Sequence, residues 1–289
     1  MADSGLTSAI TDEIGAALEG GPAVVVATVV AAPAEDQALV GSKMLVRADG
    51  SVLGTLDSGA LDAAVKREAA EAFRRHSVQT LALAADGRAL ARTEARSDPS
   101  FKVMVEVHER PATLLIIGGG HIGKALAVVG DLCGFSVEVV DDRPEYANVE
   151  RFPEADRITQ GRFDEVLADY PVDANTFVVC VTRGHRHDEM SLRAVVTSQA
   201  AYVGMIGSRR RVSAVLQHLL DEGMDAEAVA RVHTPIGLDI GAETPEEIAV
   251  AIMGEIIMAR RGGTGASMRG AGKRRRGVAP ADREAPENA

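Results

Sequence analysis

The sequence predicts an α/β protein: a C-terminal Rossmann-like, doubly wound parallel sheet, preceded by a smaller N-terminal α+β domain. Three observations carry this expectation. From residue 113 onward, short β-type apolar runs alternate with helical periodicities. The glycine-rich stretch GGGHIGKAL, residues 118–126, falls between the first such run and the first such helix. Residues 1–110 follow a different order, a helix, three strands, a second helix and two more strands.

Taken in order, residues 3–20 place Leu6, Ile10, Ile14 and Leu18 on one helical face, and Gly20-Gly21-Pro22 ends it. Residues 24–30, 43–47 and 52–56 read as strands, the last two joined by a turn at Ala48-Asp49-Gly50. A helix over 59–75 buries Leu61, Val65, Ala69, Ala72 and Phe73, and strands over 78–84 and 101–107 complete the domain, with a polar loop at Arg96-Ser97-Asp98-Pro99. His108-Glu109-Arg110-Pro111 is the expected linker, so the domains are 1–110 and 111–261. The second domain is expected to hold strands near 114, 136, 157, 177, 201 and 231, with helices after the first, second, fourth, fifth and sixth. Residues 262–289, rich in Gly and lacking apolar periodicity, read as a disordered tail.

Charge and cysteine content exclude several functions. The net charge is −11, but residues 260–289 hold eight Lys and Arg against three Asp and Glu, which leaves −16 on residues 1–259. Such a body opposes nucleic-acid binding, because phosphate contacts need a basic face. The longest apolar run, 22–34, is broken by Thr28 and too short for a bilayer, and the first twenty residues carry four acids and no Lys or Arg. No membrane association and a cytoplasmic location are expected. The two cysteines, Cys133 and Cys180, are too far apart in sequence for a metal knuckle and read as small buried apolar residues.

The chemistry is expected at the carboxyl ends of the second domain's strands, where open α/β sheets bind ligands. Gly118 permits a tight turn, Gly120 lets a ligand approach the backbone and Gly123 lets helix and strand pack. The helix start, with His121 in its first turn, offers unpaired N–H groups to an anion. Asp141 and Asp142 end the second strand, and Asp141 stands where a dinucleotide fold keeps its ribose-binding carboxylate. The fourth strand ends in Thr182-Arg183-Gly184-His185-Arg186-His187-Asp188, where Arg183 is a candidate ligand contact and His185, His187 and Asp188 are candidate proton-transfer residues. No spacing closes a metal site around them. The fifth strand ends in Gly207-Ser208 followed by Arg209, Arg210 and Arg211, a second anion-binding candidate. Asp239, in a glycine-flanked loop, is a candidate for orienting these groups or accepting from a heterocycle.

These residues resemble the xanthine dehydrogenase accessory factor (XdhC/CoxI) family, through GGGHIGKAL, VVDDR at 139–143, TRGHRHD at 182–188, YVGMIGSRRR at 202–211 and HTPIGLDIGAETPEEIAVAI at 233–252. VVVATVV and VGSKMLVRADGSVLGTL extend the resemblance to the N-terminal half. The resemblance implies a chaperone-like accessory factor rather than an enzyme, one that binds the molybdenum pyranopterin cofactor and serves its sulfuration and insertion into a molybdenum hydroxylase of the xanthine or CO dehydrogenase type. A client hydroxylase and a cysteine desulfurase are the implied partners, and a homodimer is compatible with it. The chain departs from the family pattern at Pro33-Ala34-Glu35-Asp36-Gln37 and at Asp57-Ser58-Gly59-Ala60-Leu61-Asp62, where Ala60 occupies the position of the family cysteine. Two alternatives stay open at this point: an NAD(P)-dependent oxidoreductase on the same nucleotide-binding fold, and an adaptor that holds no small molecule.

Overall fold

Alternation along one strand builds the N-terminal half. In β1 (Val24–Ala31), Val24 and Val26 face α1 (Ser4–Leu18), where they meet Ile10 and Ala17; Val25 and Ala27 face α2 (Gly59–Arg75), where they meet Leu61, Ala64 and Val65. The computed structural model describes residues 4–76, 78–91, 94 and 100–270, leaving aside the side chains of residues 4, 185, 186 and 270. The expected loop at Arg96–Pro99 and the tail beyond residue 270 lie outside the described residues. β2 (Lys43–Arg47), β3 (Val52–Gly54), β4 (Gln79–Leu83) and β5 (Phe101–His108) join β1 in an antiparallel sheet of order β3-β2-β1-β5-β4. Ser58 caps α2 by accepting from the Leu61 N–H, and His76 closes it in the left-handed conformation.

The C-terminal half is a five-stranded parallel sheet. Its strands are β6 (Thr113–Ile117), β7 (Ser136–Asp141), β8 (Arg157–Gln160), β9 (Thr176–Cys180) and β10 (Tyr202–Met205), in the order β10-β9-β6-β7-β8. Counting from β6, this is 5-4-1-2-3, the doubly wound order with its switch point between β6 and β9. Leu114, Ile116, Val137, Val139 and Val179 face α3 (His121–Leu132) and α8 (Pro245–Arg261). Leu115, Ile117, Val178 and Cys180 face α4 (Phe163–Ala168), α5 (His185–Val195) and α6 (Arg209–Asp221), with α7 (Ala226–Ala230) at the margin. Both faces are covered, as near-continuous apolar strands require.

Three expectations are corrected. The sixth strand shrinks to a single parallel bridge, Gly204 to His233, because Pro235 follows two residues later and has no N–H to extend the ladder. No helix follows β7. Residues 142–156 instead form consecutive turns, held by Tyr146 N–H to the Arg143 carbonyl at 3.0 Å and Arg151 N–H to Asn148 Oδ1 at 2.9 Å, and the short helix α4 follows β8. Cys133 is exposed at the end of α3, whereas Cys180 is fully buried. No helix among the described residues is long and apolar enough to cross a membrane.

Glu255 on α8 fastens the last crossover. Its carboxylate accepts from Tyr202 Oη at 2.8 Å, from the Gly237 N–H at 2.6 Å and from His233 Nδ1 at 3.2 Å, and His233 stacks on Tyr202 with centroids 4.3 Å apart. Glu255→Ala is expected to lower the unfolding free energy by about 2 kcal/mol, since it strands a phenol and an amide. Denaturant unfolding of the variant checks this; an unchanged midpoint would show that solvent replaces the carboxylate.

Candidate functional site

At the β6/β9 switch point an open cleft of about 420 Å³ lies over the glycine loop, lined by Gly118, Gly120, His121, Arg143, Tyr146 and Arg183, with Pro245 of α8 at one side. The glycines are not equivalent. A Cβ on Gly118, whose φ is +117°, would stand 2.6 Å from the Val181 carbonyl oxygen; one on Gly119 would stand 2.2 Å from that of Tyr146, and one on Gly123 2.0 Å from that of Gly118. Those three are fixed by the chain's own packing. Gly120, the N-cap of α3, meets nothing within 4 Å, so its missing side chain leaves a cradle open toward the cleft. The first-turn N–H groups of α3 have no intrahelical acceptor, and Gly120, His121 and Ile122 of this helix start line the cleft. Gly123→Ala should therefore cost about 2 to 4 kcal/mol of stability, while Gly120→Ala melts close to the parent. A thermal melt of the pair checks the contrast, and equal losses would contradict the separation of roles.

Asp141 supports this loop from beneath. Its side chain is 1 % exposed and accepts from the Gly119 N–H at 2.7 Å, the Arg143 N–H at 3.0 Å, Arg143 Nε at 2.9 Å and Arg143 Nη2 at 3.1 Å. Burial pushes its pKa up, but the Arg143 guanidinium and the two N–H groups outweigh burial and hold the carboxyl below its usual range. Both oxygens are thereby engaged within the protein. Arg143 in turn lies over the Tyr146 ring, 3.5 Å from its centroid, and Arg151 reaches the same ring at 4.8 Å while donating from Nε to the Gly119 carbonyl at 2.8 Å. Arg183, just past β9, forms a two-pronged pair with Asp142, just past β7, at 3.2 and 3.0 Å.

Of the other sequence-predicted residues, those whose side chains are described do not line this cleft. The side chain of His185 lies outside the described residues. His187 packs its ring against Phe163, centroids 5.6 Å apart, with a buried Nδ1 that has no hydrogen-bond partner among the described residues. Asp188 is fully buried and accepts from Thr182 Oγ1 and Arg211 Nη2, tying the start of α5 to the start of α6. Burial, together with Asp188, raises the pKa of the Cys180 thiol. Gly207 and Ser208 do open a helix, and Ser208 accepts from the Arg211 N–H at 3.4 Å, but Ser208 and Arg210 edge a separate shallow depression, and Arg209 another. The two helix starts follow β6 and β10, with β9, the strand that leads to Arg183, between them. That spacing is about 10 Å, two strand widths. Asp239 is exposed on the loop before α8 and does not line the cleft.

The sequence reading missed Arg143, Tyr146 and Asp142 as site residues. Their legible signal was an arginine and an aromatic closely following the acid pair, in a chain with only three tyrosines. Among the described residues, the group of acids and histidine with ligand spacing is Glu189 on α5, His218 on α6 and Glu222 just past its end, where Arg193 donates to both carboxylates.

Comparison with known proteins agrees with this architecture. Residues 114–256 match the family described as the XdhC Rossmann domain, and residues 17–83 match the XdhC and CoxI family. An Escherichia coli K12 protein, YqeB, is 32 % identical over 233 residues, covering 78 % of this chain and 42 % of that protein. A Bacillus subtilis protein, described as a probable xanthine dehydrogenase subunit, is 29 % identical over 164 residues, 57 % of this chain and 48 % of its own length. The chain thus spans less than half the length of each of these relatives. A crystal structure described as a xanthine dehydrogenase from Bacillus halodurans shares the fold, with a TM-score of 0.51 at 17 % identity over 87 % of this chain and 95 % of the other. Two family matches in sequence order, each on its own sheet, place this chain in the XdhC and CoxI family.

Proposed function

We propose that this protein is a cytoplasmic accessory factor for a molybdenum hydroxylase, holding the molybdenum pyranopterin cofactor for sulfuration and insertion. The phosphate of the pterin side chain would sit on the first-turn N–H groups at Gly120 and His121, within reach of Arg183, and the polar heterocycle would extend toward Tyr146 and Arg143. The cofactor supplies the metal and its sulfur ligands; the chain supplies an anion seat and an orientation.

The observation that carries this choice over a dinucleotide is Asp141. The carboxylate that would accept the ribose hydroxyls of NAD already holds Gly119 and Arg143, and is buried. The doubly wound order and the switch-point cleft favour the NAD(P) reading as the second one, though fold likeness by itself carries little about ligand.

Sulfur transfer needs an accessible thiolate. Cys180 is buried with a raised pKa, Ala60 stands at the family cysteine position, and Cys133 lies at the far end of α3, about 18 Å from the loop by helix rise. The sulfur-carrying thiol therefore belongs to a partner, of which a cysteine desulfurase is the expected kind. The test is co-purification from a host that makes the cofactor, followed by oxidation and detection of the fluorescent pterin. Pterin in the parent and its loss in Gly120→Glu is the expected result; no pterin above a control protein would count against the reading.

A further inference from the structure

One carboxylate ends β7 and a second follows it, and the structure gives them different work. Asp141 points inward and is built into the loop. Asp142 lies at the surface between two guanidinium groups, bonded to Arg183 at 3.2 and 3.0 Å and 3.8 Å from Arg143 Nε. Because β6 lies between β7 and β9, the Asp142–Arg183 pair spans the strand that delivers the glycine loop. Arg183 and Arg143 both line the cleft. A carboxylate held by both prongs of a guanidinium has the geometry that a phosphate would take there.

Resting on the cofactor-binding reading above, we propose that Asp142 is an internal competitor for the ligand's phosphate: its carboxylate occupies Arg183 when no ligand is bound, and a phosphate-bearing ligand displaces it. The pair is well suited to exchange. Arg183 is 46 % exposed and Asp142 25 %, so their attraction is screened and weak, unlike the pair that Arg143 makes beside it with the buried Asp141. Replacing one anion by another on Arg183 leaves the guanidinium paired throughout, so no unpaired cation is created on binding or release. Release of Asp142 also moves a negative charge away from the incoming phosphate. The consequence is selectivity for charge: a phosphate dianion competes better for Arg183 than a neutral diol or a single carboxylate.

The experiment is calorimetric titration of the full chain with inorganic pyrophosphate, in four forms: parent, Asp142→Asn, Arg183→Gln and the double variant. Asp142→Asn should bind pyrophosphate about two- to fivefold tighter than the parent, the range expected for removing an exposed ion pair. In the Arg183→Gln background that gain should vanish, whether binding is weakened or lost. A gain of equal size in both backgrounds would show a general charge effect and overturn the proposal, as would no gain in either or no pyrophosphate binding to parent and Asp142→Asn. The cofactor reading fails separately, when pyrophosphate follows this pattern but the pterin cofactor does not bind.

Discussion

Asp141→Ala is expected to lower the unfolding free energy by about 3 to 5 kcal/mol and to disorder the glycine loop. The side chain is 1 % exposed, and its loss leaves a buried Gly119 N–H without an acceptor and Arg143 without its carboxylate. Its folded pKa lies below the unfolded value of about 3.9, so its contribution is complete above that value and is lost as pH falls through the folded pKa. In the parent, stability should decline below about pH 4, and that part of the decline should be missing in Asp141→Ala. Urea unfolding from pH 7 to pH 3 measures both. A variant as stable as the parent would mean that Asp141 is free to serve a ligand, and would revive the dinucleotide reading.

A loss of similar size, about 3 kcal/mol, is expected for Glu109→Ala at the joint between the two sheets. Glu109 accepts from His76 Nδ1 at 2.7 Å, at the end of α2, and from Arg260 Nη2 at 3.3 Å, at the end of α8. Arg260 is 12 % exposed, lies 5.2 Å from the Phe135 ring centroid and has its pKa pulled down by burial, so removing Glu109 leaves a buried cation without its carboxylate. Burial pushes the Glu109 carboxyl up, but His76 and Arg260 outweigh it and hold the pKa below the usual range. The stabilisation is therefore present above the unfolded value of about 4.3 and fades as pH falls through the folded pKa. Denaturant unfolding followed separately by probes in each half is the check. Loss of coincidence between the two transitions in Glu109→Ala is expected, whereas a single transition at the parent's midpoint would show that the joint contributes nothing. The proposed division at 110/111 thus runs through a bonded joint, and a 111–261 fragment is expected to fold with a lower melting temperature than the full chain.

The regular framework was readable because periodicity reports burial directly. The run Thr113–Ile117 is apolar at every position after its first residue and is buried on both faces, and the stripe Leu61, Val65, Ala69 and Ala72 is buried as spaced. Where the reading failed, a local feature overrode period. The turns after β7 carry Pro144 and Asn148 and are tied to the glycine loop by Arg151 Nε on the Gly119 carbonyl, a contact that no window of sequence displays. Pro235 stopped the sixth strand after one bridge. At the site, the spacing of Gly118, Gly120 and Gly123 located the cleft, since each glycine answers a local steric demand or leaves one open. Residue type alone did not say that Asp141 is consumed internally, that Arg211 pairs with Asp188, or that Arg183 faces Asp142 across β6. Those assignments depend on strand order, which is a property of the sheet and not of any segment.

The central claim, that the glycine-loop cleft takes the phosphate of a pterin cofactor and not a nicotinamide dinucleotide, is tested most directly by titrating the purified full chain with molybdenum cofactor, NAD(H) and NADP(H) side by side. Saturable binding of the molybdenum cofactor is expected, weakened at least about tenfold by Arg183→Ala with Gly120→Glu, which removes a charge-assisted contact and fills the cradle. Neither dinucleotide should bind appreciably. Tight NAD(H) binding with substrate-dependent turnover, and no binding of the pterin cofactor, would contradict the account.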